Sequence, residues 1–323
     1  MTENDVMATV IVAAWCAEDR LARSVHSALS QDLPSMEVIV VDDASPDGTA
    51  QLARQMAEAD PRIRVVSLER NGGPAVARNA AIDIARGKWV AVLDSDDEMR
   101  PGRLAGLIAT GERLGADCVY DDLQPVDPEG KDLGPSHLAS LKIGQPEQWT
   151  LERFLAGCGA RPGQAALGYL KPVIRRSFID KTGLRYDPSL RNGEDFHLVA
   201  ELLALGGALW FVPGAGYLYT QRDGSISRRL DLGHARALTA ADSAFCTRHA
   251  SSLSPDARQL MRTRGRNLAD MIAVEAAINA LKTRHFGKAA ATVGTHVEFV
   301  EHKLVQVGDN LGRGFHFPRH QAR

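Results

Sequence analysis

Over residues 8–122, short apolar runs alternate with longer amphipathic segments. The runs "ATVIVAA" (8–14), "MEVIVVDD" (36–43), "IRVVSL" (63–68), "KWVAVLDSD" (88–96) and "ADCVYDD" (116–122) read as strands. They are rich in β-branched residues and lack the in–out alternation of a half-exposed sheet. The intervening segments "AEDRLARSVHSALSQ", "GTAQLARQMAEA", "GPAVARNAAIDIAR" and "RLAGLIATGERLG" repeat apolar residues at helical spacing. This alternation predicts an α/β fold with a parallel sheet covered by helices on both faces. In such sheets ligands gather at the carboxyl ends of the strands. Three of these strands end in acid: Asp42-Asp43, Asp94–Asp97 and Asp121-Asp122.

The pattern changes further on. Residues 123–148 are rich in Pro, Gly and polar side chains and predict an irregular excursion. "LKPVIRR" reads as a strand, "EDFHLVAELLALGG" as an amphipathic helix ending at a Gly pair, and "ALWFVPGAGYLYTQR" as two strands joined at Pro213-Gly214. From about 234 the chain reads as helices, with Ser254-Pro255 starting one of them. The expected organisation is residues 1–122, residues 123–230 and a helical extension over 231–323. The apolar face of "LADMIAVEAAINAL" packs internally or pairs with a second copy. The basic, Phe-bearing "GRGFHFPRHQAR" reads as a frayed tail or a patch for anionic lipid.

Composition narrows the partners. The 323 residues carry a net charge of −2, which gives no basic field for nucleic acid. Four dispersed cysteines without metal-finger spacing read as reduced thiols in a cytoplasmic protein. No run reaches the roughly 18 apolar residues needed to span a bilayer. Peripheral membrane contact remains compatible with that.

The acids then decide the chemistry. Two readings of "DSDDE" (94–98) stand: a solvated turn, or carboxylates that hold a cation. Along an extended chain Asp94 and Asp96 point the same way, and close carboxylates need a cation or donors to stay ionised. Mg²⁺ commonly takes one or two carboxylates together with substrate phosphates. Asp43 ends another strand before the turn "SPDG", where a carboxylate can accept from a nucleobase N–H. "NGGPAVARN" opens a helix with Arg78 one turn in, suited to gripping acids or a phosphate.

In order and spacing, "VIVVDDASPDGT", "NGGPAVARNAAI" and "GKWVAVLDSDDEMRPGRL" resemble the family-2 glycosyltransferases. The resemblance implies a GT-A fold, a Rossmann-like mixed sheet flanked by helices, and an inverting transfer from a nucleotide-sugar donor, with UDP the expected nucleotide. It implies that Ala13 and Trp15 in "VIVAAWCAED" border the nucleotide, although Ala13, Ala14, Trp15 and Cys16 depart from the family's usual "VIIPxYN". Asp43 matches the base-recognising aspartate. Asp94, Ser95 and Asp96 match the D-x-D that meets ribose, diphosphate and a Mn²⁺ or Mg²⁺ ion, with Asp96 the better metal ligand. Arg78 joins the donor site. Glu194-Asp195 matches the family's E-D pair, with Asp195 as general base. Arg222, in "YLYTQRDGSISRR", resembles the loop that covers the diphosphate. The expected acceptor is a saccharide, with a polyprenyl-diphosphate-linked glycan at the cytoplasmic membrane face among the candidates. Two alternatives stay open: a sugar-nucleotide nucleotidyltransferase, although no glycine follows the first strand, and a binding protein with a decayed site.

Overall fold

The computed structural model describes residues 6–159, 166–221 and 232–282, with side chains through Ala277. The basic C-terminal stretch lies outside the described residues. The strands are β1 (Ala8–Ala14), β2 (Met36–Asp42), β3 (Ile63–Ser67), β4 (Trp89–Asp94), β5 (Glu98–Met99), β6 (Cys118–Tyr120), β7 (Leu123–Val126), β8 (Glu147–Trp149), β9 (Val173–Arg175), β10 (Leu209–Phe211) and β11 (Tyr217–Thr220). The helices are α1 (Leu21–Leu29), α2 (Thr49–Ala59), α3 (Pro74–Ile84), α4 (Arg103–Leu114), α5 (Leu151–Ala156), α6 (Arg176–Thr182), α7 (Glu194–Ala204), α8 (Leu232–Arg248) and α9 (Pro255–Lys282).

The main sheet has eight strands in the order β3-β2-β1-β4-β9-β6-β10-β8. β1 to β4 run parallel, as their apolar runs predict. β6 does not pair with β4. β9 lies between them, antiparallel to both, and β8 closes the edge antiparallel to β10. The sheet is therefore mixed. Strands of three residues carry too little pattern to announce their direction. β10 and β11 do not pair with each other; β11 forms a small second sheet with β5 and β7. The excursion after residue 122 also holds more strand than its composition predicts. β7 includes Pro125, tolerated because β7 is an edge strand.

Burial follows the pattern. Every residue of β2 is buried, and Val10, Val12, Val38, Val40 and Leu93 are almost fully enclosed. One buried acid ties the strand starts together. Glu37 accepts from Thr9 Oγ1 (2.7 Å), the Arg86 amide (2.7 Å), the Arg86 guanidinium (2.7 Å) and Arg64 (3.0 Å). Burial raises its pKa, but the hydrogen bonds from Arg86, Thr9 and Arg64 outweigh that and leave it lowered. A depressed acid stabilises the fold above its unfolded pKa of about 4.3, and that contribution is lost as pH falls through the folded value. Glu37→Gln is expected to lower Tm at pH 7 and to narrow the gap to the wild type below pH of about 4, read by circular dichroism melts. An unchanged gap at every pH would assign the effect to packing alone.

The helical extension packs on the rest. Arg264 of α9 is buried, pairs with Asp242 of α8 (3.1 Å), donates to the Cys158 carbonyl (2.8 Å) and lies over the Phe196 ring (3.8 Å). His197 of α7 faces the same Asp242 (3.1 Å). α8 and α9 thus brace α7, the helix that starts with Glu194 and Asp195. All four cysteines are free thiols, in line with their spacing.

Candidate active site

The carboxyl ends of β2, β1 and β4 lie side by side, with Ala13 registered against Asp94 and Ala14 against Asp42. The loops that follow are stitched to each other. Cys16 donates its amide to Ser45 Oγ (3.1 Å), Ala17 to Thr49 Oγ1 (2.7 Å) and Gly48 to Glu18 (2.6 Å). Trp15 projects from this rim, 48% exposed.

Asp43 is buried, and its two oxygens accept from the amides of Gly72 (2.7 Å) and Gly73 (2.8 Å). Gly73 holds φ 88, a conformation side-chain-bearing residues rarely adopt, so "NGGP" is the sequence that allows this wrap. Asp43 therefore anchors the loop before α3. A carboxylate offers about four lone-pair directions, so a nucleobase donor remains compatible with this anchoring.

α3 and α7 meet at the end of β4. Buried Arg78 donates to Asp94 Oδ1 (2.6 Å), Glu194 Oε1 (2.7 Å) and Asp195 Oδ1 (3.2 Å). Lys171, also buried, sits 2.7 Å from Asp195 Oδ2 and 2.9 Å from Asp94 Oδ2. Three carboxylates thus share two cations. Burial opposes the charge on Lys171 and on Arg78, but Asp195 and Asp94 more than offset it and hold both pKa values above their usual range. Burial also pushes Asp94 up, yet Lys171 and Arg78 hold it well below the usual carboxylate range. Glu194 goes the other way: burial and then the neighbouring Asp195 raise it. The cluster therefore disfavours the charged form of Glu194 and favours that of Asp94.

The cation that the acids need is, in part, built in. Sequence reading missed Lys171 inside "LKPVIRR". The available signal was a charge set between apolar Leu170 and Pro172–Ile174, where burial demands a partner. Its backbone is fixed as well: Arg103 donates to the Lys171 carbonyl (3.0 Å) and pairs with Asp121 (2.7 Å). Asp121 and Asp122 therefore serve the scaffold. Asp122 accepts from the amides of Leu123 and Leu138. The third acidic strand end does not join the cluster.

The D-x-D segment also differs from an extended strand. β4 stops at Asp94, and the Asp97 amide donates back to the Asp94 carbonyl (3.1 Å), closing a turn. Asp94 faces the two cations, while Ser95 and Asp96 are half-buried on the turn. Asp97 is enclosed, accepting from Tyr217 Oη (2.8 Å) and the Thr220 amide (2.8 Å). Burial, then Asp96 and Asp94, raise its pKa. Glu98 pairs with Arg23. Asp97 thus fastens β11 to the turn. Arg222 and the "SIS" that follows lie outside the described residues.

For a divalent ion, the turn offers the half-buried Asp96. Each Asp94 oxygen is already held by a cation, Arg78 or Lys171, whose positive charge opposes a metal ion beside it. Among the described residues no three acids, histidines or cysteines gather into a metal cage. That donor set fits an ion such as Mg²⁺, held by one or two carboxylates and completed by substrate phosphates and water.

Comparison with known proteins gives this geometry its family. The pattern described as "Glycosyl transferase family 2" matches residues 9–165. The chain is 38% identical over 305 residues to the succinoglycan biosynthesis protein ExoO of Rhizobium meliloti, covering 94% of this chain and 86% of that one. It is 35% identical over 292 residues to ExoU of the same organism, covering 89% and 82%. Among solved structures it is similar to S. aureus TarS 1–349 in complex with UDP-GlcNAc, with TM-score 0.60, 17% identity and coverage of 97% and 94%. It is also similar to the mannosyltransferase PcManGT from Pyrobaculum calidifontis in complex with GDP-Man and Mn²⁺, with TM-score 0.57, 18% identity and coverage of 94% and 87%. The last two likenesses show the GT-A-like fold. The nucleotidyltransferase alternative is set aside: the chain belongs to glycosyltransferase family 2 and is a glycosyltransferase.

Proposed function

We propose that the enzyme transfers a sugar from a nucleotide-diphosphate donor, UDP-linked, to a saccharide acceptor in polysaccharide biosynthesis, with inversion and with Asp195 as general base. The observation that carries this reading is the ion-pair cluster at one sheet edge, which joins the D-x-D carboxylate Asp94 to Asp195 through Lys171 and Arg78. The names of relatives support the polysaccharide setting, and the TarS and PcManGT complexes support a nucleotide-sugar donor.

Residues 1–122 supply most of the donor side, with Ala13, Trp15 and Asp43 around the nucleoside and Ser95 toward the diphosphate; Arg222, from the second segment, is proposed to join Ser95 there. Residues 123–230 supply the acceptor side, and α8 and α9 of the extension that follows brace it. An acceptor hydroxyl attacks the anomeric carbon opposite the leaving diphosphate; the new C–O bond forms as the old one breaks. Asp195 takes the hydroxyl proton. Both of its oxygens are held by cations here, so the base acts once donor phosphates draw Arg78 or Lys171 away. Glu194 shares Arg78 with Asp195 and so helps to hold the base in place. A divalent ion held by Asp96 would offset charge on the leaving diphosphate.

No helix of the described residues is long and apolar enough to cross a membrane. A polyprenyl-diphosphate-linked glycan, met at the cytoplasmic membrane surface, fits the proposed acceptor role. Calorimetric titration with UDP tests the donor site. Wild-type protein is expected to bind UDP more tightly with Mn²⁺ or Mg²⁺ present, and Asp96→Ala to lose most of that metal-dependent gain, about tenfold or more. Metal-independent UDP binding in both proteins would remove Asp96 from metal binding.

A further inference from the structure

Residues 167–171 form a short strap across the first turn of α7. Gly168 makes the close approach: a Cβ there would lie 2.9 Å from the Phe196 Cβ and 3.3 Å from its Cα. Three residues later Lys171 pairs with Asp195. Leu167, Leu170 and Lys171 are all buried, while Tyr169 between them is 45% exposed. Its ring is braced rather than loose. The His137 ring stands edge-on to it, with centroids 6.1 Å apart at 73°. The Ala166 carbonyl lies 3.0 Å from His137 Nε2 and accepts from the Tyr169 amide at 3.2 Å. Burial and then Tyr219 raise the pKa of its hydroxyl, and Lys171 and Glu194 also act on it, so the phenol end lies within electrostatic reach of the cluster.

A single exposed aromatic is ordinary on a protein surface. This one differs in being fixed by backbone contact to the proposed catalytic helix. A ring already held in place loses little entropy when a ligand covers it. Its place along the sheet edge decides which ligand. Trp15 and Asp43 follow β1 and β2, Asp94 ends β4, and Lys171 precedes β9, in the spatial order β2-β1-β4-β9-β6. Tyr169 precedes β9, and His137 follows β7, its amide donating to the Leu123 carbonyl just past β6 (2.9 Å). Both thus belong to the β9–β6 side of the sheet edge, away from Trp15 and Asp43. A donor spanning from Trp15 to Asp94 leaves that far flank to the acceptor.

We infer that Tyr169, braced by His137, is a stacking platform for a pyranose ring of the acceptor glycan, set beside Asp195. The C–H face of the sugar covers the exposed ring, while its hydroxyls stay at the polar rim toward Asp195. This inference rests on the reading of Asp195 as the acceptor-side base.

The test uses the full chain saturated with UDP and Mn²⁺, titrated with cellotetraose, mannotetraose and β-1,4-galactotetraose and followed by NMR. One of these is expected to bind the wild type. Tyr169→Ala is expected to weaken it about tenfold, while Tyr169→Phe and Tyr169→Trp stay within about threefold. UDP affinity and Tm are expected to be unchanged in all three variants. Unchanged tetrasaccharide affinity in Tyr169→Ala would overturn the inference. So would a loss of UDP affinity instead, which makes Tyr169 a nucleobase platform, or a wild type that binds none of the three sugars. Failure of the functional reading looks different: it appears as wild-type protein that does not bind UDP, or as Asp195→Asn that transfers normally.

Discussion

Asp195→Asn is expected to fold, to bind UDP within about threefold of wild type, and to lose about 10²- to 10⁴-fold in kcat, the usual worth of a positioned proton acceptor. The amide keeps the shape and still accepts hydrogen bonds from Lys171 Nζ or Arg78 Nη1, so the strap and α3 stay attached to α7. What it loses is the capacity to take a proton from the attacking hydroxyl. Nucleotide release, followed by a coupled assay, gives kcat; calorimetry gives UDP affinity; a melt gives Tm. The combination separates the possibilities. A fall in kcat with Tm and UDP affinity preserved identifies Asp195 as the base. A matching fall in Tm would make its role structural, and a kcat within threefold of wild type would move the base elsewhere.

The fold was legible where pattern is long. β1, β2 and β4 hold six or seven apolar-rich residues each, and their parallel pairing follows from burial on both faces. β8, β9 and β10 hold three residues each, and nothing local fixes their partners. β9 enters between β4 and β6 because Val173 and Ile174 find buried places there, a tertiary outcome. The candidate site divides in the same way. Asp43, Asp94, Glu194 and Asp195 stand at element ends, where sequence position announces exposure to a ligand edge. At Asp94–Asp97 the sequence left a turn and a cation-holding strand end both open, because an acidic strand end and an acidic turn look alike in sequence. Asp97 then serves Tyr217 and Thr220, residues more than a hundred positions away, which no local pattern reports. Lys171 was hidden for the same reason. Its partners come from β4 and α7, and only the assembled sheet edge brings them within reach.

Arg78→Leu is expected to be the most destabilising single change at the site. The guanidinium is 4% exposed and serves Asp94, Glu194 and Asp195 at 2.6, 2.7 and 3.2 Å. Without it, buried Glu194 and Asp195 and half-buried Asp94 are left with Lys171. Breaking a buried pair from one side costs about 3–5 kcal/mol, because the remaining charge keeps its desolvation penalty. A domain of ordinary stability holds about 5–15 kcal/mol, so the variant folds only marginally, with Tm lower by roughly 10 °C. Arg78→Lys is expected to recover little, since one ammonium cannot fork toward three carboxylates from a single stem. The signature that separates charge from packing is pH. The carboxylates left unpaired take up protons more readily, Glu194 among them, since burial already raises it. The variant's deficit in Tm is therefore expected to shrink as pH falls from 7 toward about 5. A double variant, Arg78→Leu with Glu194→Leu, removes one surplus charge and is expected to be more stable at pH 7 than Arg78→Leu alone. Equal deficits at pH 5 and 7, with no recovery in the double variant, would show that Arg78 contributes by packing against Tyr186, whose ring lies 5.2 Å from it, and not by holding the three acids together.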